Sequence, residues 1–350
     1  MDLSYFNARI RGRIGRLFRE PDYAPLFAAE GPAELIDRLR SSPYGPRIET
    51  ASARFDRTDE ILSSAINDDL ASDLKTLWEE APAEARPLLK AVVAEWEVFD
   101  LKAVVRGIAR SVKREEIQRE LVPAGEFDSA ALRTLLASED LLGVVGYLET
   151  WGSPYAAPLK KGMELYRKRG STGEMELRVD LFTFGHLIGL LKGEGRNGRI
   201  LEGVISLRID ARNITTILKI AGEGYSEEGA ASFFIEGGRA LRKKDFLKSS
   251  SAKDRDEALK GLIVAVKDEE LRSVLSATEP NDLYALEERL EDAAARRLKR
   301  LSVVEPLSIA PAASFVRMKV REIRNLRLIE RGKSFGIPEE ELKRLVRYPL

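Results

Sequence analysis

Apolar residues recur at every third or fourth position along most of the chain, and this spacing restricts the fold more than any other feature of the sequence. The period is that of one face of an α-helix. Strand-type alternation bounded by turns is nearly absent, so we predict an all-α protein. At the N-terminus the apolar residues with this spacing are Leu3, Phe6, Ile10, Ile14 and Leu17. Similar patterns cover 59–78, 87–110, 129–149, 174–192, 202–221, 256–277 and 283–301.

Proline and glycine lie mostly between these segments, where they separate one helix from the next. Helices of ordinary length, roughly 11–12 residues, would then number about fifteen to twenty. The chain has 350 residues, which is too long for one small core and favours two or three domains. The separating residues include Pro43-Tyr44-Gly45, Pro123-Ala124-Gly125, Gly237-Gly238, Pro306 and Pro311.

Composition excludes several classes of protein. Lys+Arg and Asp+Glu both total 57, so the overall charge predicts no nucleic-acid partner and no anionic-membrane partner, while local basic patches stay possible. The chain contains no cysteine, which excludes disulfides, thiolate zinc sites and cysteine nucleophiles. The first residues do not resemble a signal peptide, and no apolar run approaches the roughly 18–20 residues that span a bilayer. We therefore expect a soluble, cytoplasmic protein.

Three helical segments share a short pattern, which indicates an internal repeat. They are 98–110, 208–222 and 320–333, and each contains an acid, a base two residues later, then Ala or Asn, then an aliphatic residue. The interval from Asp100 to Asp210 is nearly equal to the interval from Asp210 to Glu322. The aligned sets are Asp100, Lys102, Ala103 and Val104; Asp210, Arg212, Asn213 and Ile214; and Glu322, Arg324, Asn325 and Leu326.

A second similarity supports the repeat. LVPAGEF at 121–127 and FFIEGGRAL at 233–241 both place an apolar pair before a glycine, and nearly the same interval separates Gly125 from Gly238. Both segments follow a motif helix. We therefore predict three helical modules, at 1–115, 116–226 and 227–350.

These motifs, in this order, resemble the central-stalk linker of the rotary A-/V-type ATPases, which is the C subunit of the archaeal and bacterial enzymes and the d subunit of the eukaryotic one. The resemblance covers the whole chain, and Ala103 departs from it because the other repeats have Asn. The motifs are Tyr5-x-x-Ala8-Arg9-x-Arg11, the three acid–base helices, Phe233-Phe234-x-x-Gly237-Gly238, and PLSIAPAASFVRMKVREIRNLRLIERGKSFGIP at 306–338.

The resemblance implies three modules related by pseudo-threefold symmetry and arranged as a funnel. It also implies a non-catalytic rotor subunit that links the membrane ion-carrying ring of proteolipid subunits to the central shaft. That subunit transmits the torque that couples ATP synthesis or hydrolysis to proton or sodium transport. Its expected place is the cytoplasmic face of the membrane, as a peripheral protein that contacts the membrane only through the ring. No cofactor, nucleotide or nucleic acid is expected.

Other functions find little support in the residues. His186 is the one histidine and lies among apolar neighbours, so we interpret it as a packed helix residue and not as a metal ligand. GEGRNG at 193–198 lacks the Gly-Lys-Ser/Thr ending of a phosphate loop and is interpreted as a connection between helices. We predict no catalytic, cofactor-binding or metal-binding residue. A free-standing helical-repeat scaffold is the first alternative, although solenoid repeats usually have roughly 20–45 residues. The second is an all-α enzyme that uses carboxylates or a bound metal, which the single histidine and the absence of cysteine disfavour.

The charged residues have two interpretations each. Arg9, Arg11, Arg13 and Arg16 either meet an acidic partner or lipid headgroups, or form ion pairs within the chain, which we favour. In the repeated motif, positions 0, +3 and +4 share a helix face, so Asp210 and Asn213 face one seam and Arg212 points away. We favour a fold-determining role for the motif over direct partner contact. The C-terminal helix would end before Gly336 and Pro338 and pack an apolar stripe within its own module, formed by Val316, Val320, Ile323 and Leu326. Its other faces are left for ion pairs, which we favour, or for a partner, and they carry Arg317, Lys319, Arg321, Arg324 and Arg327.

Overall fold

A computed structural model describes residues 2–348, except the side chain of Arg169. Within this range the chain forms nineteen α-helices and one short 3-10 helix (Ala83–Ala85), and the only β-type pairing is an isolated bridge between Ala124 and Phe127. The predicted all-α class is confirmed. The helices are α1 Ser4–Ile14, α2 Glu20–Phe27, α3 Pro32–Arg40, α4 Gly45–Ser52, α5 Thr58–Glu80, α6 Arg86–Ala109, α7 Arg114–Glu120, α8 Ser129–Leu136, α9 Leu141–Thr150, α10 Ala156–Arg169, α11 Gly173–Leu191, α12 Gly195–Ile220, α13 Glu227–Ala231, α14 Lys243–Ser250, α15 Arg255–Ala265, α16 Glu269–Ser276, α17 Leu283–Val304, α18 Ala310–Ser334 and α19 Glu339–Leu345.

Two amphipathic segments that the sequence predicts as single helices are each divided by an aspartate. The Asp140 side chain accepts a hydrogen bond from the amide of Gly143, and Asp268 does the same for Leu271. Each aspartate caps the first turn of a new helix, α9 or α16. The segment GEGRNG is also only partly a connection, because its last four residues begin α12.

The helix lengths repeat along the chain. Four shorter helices precede the long pair α5 and α6, and the same order leads to α11 and α12 and then to α17 and α18. The short helix α19 follows the long helix α18 as α7 follows α6, so it corresponds to the first helix of a further repeat. This order supports the predicted repeat, whereas the module limits and the funnel arrangement stay predictions.

The described chain divides into two compact units, one from the N-terminus to Val179 together with the residues from Pro311 onward, and one spanning Asp180–Ala310. In the second unit α12 lies at the centre and packs against α14, α15 and α17. Burial of its apolar residues is the main source of stability of this unit. Its core includes Ile214, Ile217, Leu218, Phe246, Leu259, Leu262, Leu271, Leu275, Leu286 and Leu290.

In the first unit, residues from the two ends of the chain pack together. The C-terminal helix α18 begins after α17 has ended at Val304, as the prolines at 306 and 311 predict, and stops before Gly336, whose φ is +68°. From α18 the Asn325 amide donates to the Tyr23 hydroxyl at 3.2 Å, and Lys333 donates to the carbonyl of Phe27. The N-terminal helices are therefore held by a helix that is synthesised about three hundred residues later.

Each motif helix is also fitted to the short helix that follows it by a pair of residues of complementary size. A Cβ atom on Gly107 would lie 2.3 Å from the Ile117 side chain, and one on Gly332 would lie 2.2 Å from Leu342. At the corresponding positions of the middle copy the sizes are exchanged, as Ile220 and Ala230. Both of these lie in the core of the second unit.

This exchange gives a compensation test. Gly332→Ile is expected to lower the free energy of unfolding by about 1–3 kcal/mol because the added atoms overlap Leu342. Combining it with Leu342→Ala copies the middle arrangement and is expected to recover much of that loss in thermal unfolding. Arg331→Ile, at the exposed neighbouring position, is the control and should change stability by less than about 0.5 kcal/mol. A double variant that is less stable than both Gly332→Ile and Leu342→Ala alone would contradict the size-matching interpretation.

Candidate functional site

The central motif, on α12, holds the segment that follows it by hydrogen bonds from buried side chains. Asp210 accepts from the amides of Arg239 and Ala240 at 2.8 Å and of Leu241 at 3.0 Å. The Asn213 side chain donates to the carbonyl of Ile235 and accepts from its amide, both at 2.9 Å. Together they fasten residues 235–241, within the FFIEGGRAL segment, to the helix.

The glycine of that segment is required by this close approach. A Cβ atom on Gly238 would lie 2.2 Å from an Asp210 carboxylate oxygen. Burial raises the pKa of Asp210 above its ordinary value, and the three amide hydrogen bonds oppose that rise. Asp210 and Asn213 therefore hold residues 235–241 against α12 by hydrogen bonds, and Arg212 on the same helix is exposed.

The C-terminal motif, on α18, repeats the arrangement with different partners. The Asn325 side chain donates to the carbonyl of Arg347 at 2.8 Å and accepts from its amide at 3.2 Å. The buried Glu322 carboxylate accepts from the amide of Phe18 and from the hydroxyl of Tyr44. In this copy, residues from the N-terminal part of the chain supply the donors to the carboxylate.

The first motif, on α6, shows that the sequence alignment was displaced by three residues. Glu97 accepts from the amide of Glu126 at 2.8 Å, and Asp100 accepts from the amide of Val122 at 2.8 Å. In every copy, one motif side chain accepts a hydrogen bond from the backbone amide 22 residues later. The pairs are Asp100 with Val122, Asn213 with Ile235, and Asn325 with Arg347.

Glu97 therefore corresponds to Asp210 and Glu322, and Asp100 corresponds to Asn213 and Asn325. Pairing Asp100 with the other two acids, and treating Ala103 as a replaced Asn, was wrong. The interval between Gly125 and Gly238 was the correct signal, because the same interval separates Glu97 from Asp210.

Asp100 carries a titratable group at a position where the other copies have an amide. Burial raises the pKa of Asp100 to about 8, opposed by the Val122 amide and assisted by the charge of Glu97. Burial likewise raises the pKa of Glu97 to about 7. One Asp100 oxygen, Oδ2, is buried and bonds to no described residue. The raised pKa favours the protonated form of Asp100, which is uncharged like the amide of Asn213.

The sequence places Lys319 on a basic face that is left for ion pairs, and the structure shows these ion pairs but buries the side chain within the first unit. Its side chain is 7% exposed, and its Nζ lies 2.6 Å from Asp69, 3.0 Å from Glu322 and 2.8 Å from the Tyr44 hydroxyl. Burial lowers the pKa of Lys319, but Glu322, Asp69 and Asp73 together raise it above the ordinary value. Sequence reasoning missed this cluster, although Ser-Pro-Tyr occurs both at 42–44 and at 153–155 and marks the tyrosines that face Glu322 and Glu97.

The N-terminal arginines divide into two kinds. Arg9 pairs with Glu80 at 2.5 Å, and Arg13 pairs with Asp73 at 2.8 Å. Arg11 is exposed and pairs with no acid among residues 2–348. Of the other motif bases, Lys102 is half-buried and Arg324 is exposed.

Within the part of the chain that the structure describes, no group of three or more His, Asp or Glu side chains is placed to hold a metal ion. His186 stacks on the ring of Phe182 at 5.2 Å. No described helix is both long enough and apolar enough to cross a bilayer. The repeated clusters bind backbone amides and one buried ammonium by hydrogen bonds and ion pairs.

Comparison with known proteins gives matches along nearly the whole chain. The sequence model of the family described as ATP synthase (C/AC39) subunit matches residues 6–345. The C subunit of the A-type ATP synthase of Halorubrum lacusprofundi is 28% identical and covers 97% of this chain and 95% of its own. The proteins of the same name from Methanothermobacter thermautotrophicus and Archaeoglobus fulgidus are each 26% identical, over 98% and 97% of this chain and 87% and 95% of their own lengths.

Proposed function

The chain belongs to the ATP synthase (C/AC39) subunit family, and from this membership we propose that it is the non-catalytic linker in the rotor of an A-type ATP synthase. As a subunit of that complex it has its partners within the complex. The partners proposed are the membrane ion-carrying ring and the central shaft, at the cytoplasmic face of the membrane. The linker passes torque between them and so couples ATP synthesis or hydrolysis to ion transport.

The observation that carries this proposal is the family match over residues 6–345, together with relatives named as the C subunit of an A-type ATP synthase that align over almost their full length. The repeated fastening adds physical support. A torque-bearing body must deform little, and buried carboxylates and amides that bind backbone groups resist the separation of neighbouring segments. Asp210 alone holds three consecutive amides.

An apolar surface at the end of α17 is proposed as one place of partner contact. Val303, Val304 and Leu307 are 71%, 73% and 64% exposed and lie within five residues of one another. Apolar anchors are what a stable interface needs at its centre. Exposure of three such neighbours is otherwise unfavourable in water.

The proposal is tested by purifying the tagged protein from native membranes solubilised in a gentle detergent. We expect the other ATP synthase subunits to be recovered with it, and recovery without any of them would overturn the proposal. The double variant Val304→Ser/Leu307→Ser should fold normally by circular dichroism and reduce that recovery. Val264→Ser, at a site 87% exposed in the same unit, is the matched control and should leave recovery unchanged.

A further inference from the structure

A cavity of about 680 Å³ lies beside Asp210 in the second unit. It is bounded by α12 and α17 and by the residues that precede α14 and α16. The volume is within the range of ordinary small-molecule sites, roughly 300–1,000 Å³. Of the residues that line the cavity, only Asp210, Arg239 and Ala240 take part in the hydrogen bonds that hold residues 235–241. The rest of the cavity has no role in the motif.

The other two motif copies explain why space is present here. Tyr44 and Tyr155, each immediately before α4 or α10, are 1% exposed and direct their hydroxyls to Glu322 and Glu97. The residue in the same place before α16 is Asp268. The middle motif therefore lacks the aromatic side chain that lies against the carboxylate in the other two.

The floor of the cavity is one face of α12 with small side chains at its middle. Arg199, Gly203, Ser206 and Asp210 follow at steps of four, three and four. A Cβ atom on Gly203 would meet no atom of the described residues within 4 Å. Ser206 is 2% exposed, and its hydroxyl oxygen, which is buried, bonds to no described residue. A buried hydroxyl without a partner is costly, and a ligand in the cavity would supply one.

The cavity is lined by more arginine and lysine side chains than form ion pairs with nearby acids. Arg297 pairs with Asp268 at 2.9 Å, Arg239 pairs with Glu202 at 2.6 Å, and Arg196 pairs with Glu305. Within residues 2–348, the side chains of Arg199 and Lys267 have no hydrogen-bond or ion-pair partner. Two cationic side chains without a partner among the described residues thus line the same cavity as the Ser206 hydroxyl.

We propose that this cavity binds a phosphate-bearing anion. The Arg199 guanidinium and the Lys267 ammonium bind the phosphate oxygens, and the Ser206 hydroxyl donates to the same group. Ile200, Leu207 and Leu301 line the remaining wall and contact the apolar part of the ligand. Soluble phosphate compounds and phospholipid headgroups share this chemistry. The proposal is independent of the rotor function, because it depends only on the second unit.

The test uses two probes on the purified full chain at low ionic strength. Inorganic pyrophosphate is titrated by calorimetry, and vesicles of phosphatidylcholine with phosphatidic acid are examined by co-sedimentation. We expect saturable binding of at least one probe. Arg199→Ala/Lys267→Ala should weaken it about tenfold or more. Gly203→Leu should weaken binding similarly, because the leucine side chain fills part of the cavity without removing a charge.

Lys244→Ala, at an exposed position of the same unit, is the control and should bind as the unchanged protein does. Binding of pyrophosphate alone would assign a soluble ligand, and binding of vesicles alone would assign a lipid. If neither probe binds, or if both groove variants bind normally, the proposal is wrong. Loss of ATP synthase subunits from the Arg199→Ala/Lys267→Ala variant, with neither probe bound, would assign the groove to acidic side chains of a partner and overturn it.

Discussion

Replacing Glu322 by alanine is expected to lower the free energy of unfolding by about 3–5 kcal/mol, the usual cost of removing one partner from a buried ion pair. The substitution would leave the Phe18 amide and the Tyr44 hydroxyl buried without their acceptor. It would also remove the nearest acid on α18 from Lys319, whose side chain is almost fully buried. The expected readout is an earlier thermal and urea transition of the first unit.

Two further variants separate the loss of the Glu322 charge from the loss of its hydrogen bonds and from a general effect of removing a carboxylate. Glu322→Gln keeps one acceptor oxygen but no charge, and it should fall between the unchanged protein and the alanine variant. Glu340→Ala removes a carboxylate that is 78% exposed and is the control, with an expected change below about 0.5 kcal/mol. If Glu322→Ala leaves stability unchanged but abolishes recovery of the other ATP synthase subunits, the residue belongs to an interface instead.

Replacing Asp100 by asparagine is expected to stabilise the protein in alkaline solution, by about 2–5 kcal/mol at pH 9. The asparagine cannot ionise, and its amide can donate to the Val122 carbonyl as Asn213 donates to that of Ile235. The other two motif copies already have this residue at the corresponding position. Urea unfolding at pH 6 and pH 9 measures the effect.

The pH dependence has a definite sign. The pKa of Asp100 rises from an ordinary value of 3.8 to about 8 in the folded protein, so between these values the folded state binds more protons than the unfolded state. This contribution to stability is full below pH 3.8 and is lost as pH rises to about 8. Glu97, with its pKa raised to about 7, adds a dependence of the same sign.

The Asp100→Asn variant should therefore show a weaker fall in stability above pH 6, with the remainder due to Glu97. Asp68→Asn, at an exposed position of α5, is the control and should follow the unchanged protein. Parallel pH profiles for Asp100→Asn and the unchanged protein would mean that Asp100 is ionised in the folded state, and the assignment of a proton to it would be wrong.

The helical class and most helix positions were predictable because apolar spacing reflects burial against the rest of the protein, and long helices such as α5 and α6 show it over many turns. The breaks at Asp140 and Asp268 were missed because the spacing continues through them. The caps themselves were visible in the sequence as aspartates immediately before the turns that they complete.

The motif register and the burial of Lys319 were not predictable in the same way. A match of residue types aligned Asp100 with Asp210, whereas the correct register depends on which backbone amide each side chain reaches. Lys319 is buried because Tyr44, 275 residues away in sequence, lies against it. Local pattern contains no information about such a partner.

The bond between Glu322 and the amide of Phe18 joins residues 304 positions apart and has a consequence for biosynthesis. Translation proceeds from the N-terminus, so the ribosome releases the first four helices long before their acceptor exists. Contacts of such separation close late, because the entropy of a long loop must be overcome first. A nascent chain that stops short of α18 is therefore expected to leave Phe18 and Tyr44, which are buried in the finished protein, without the helix that binds them.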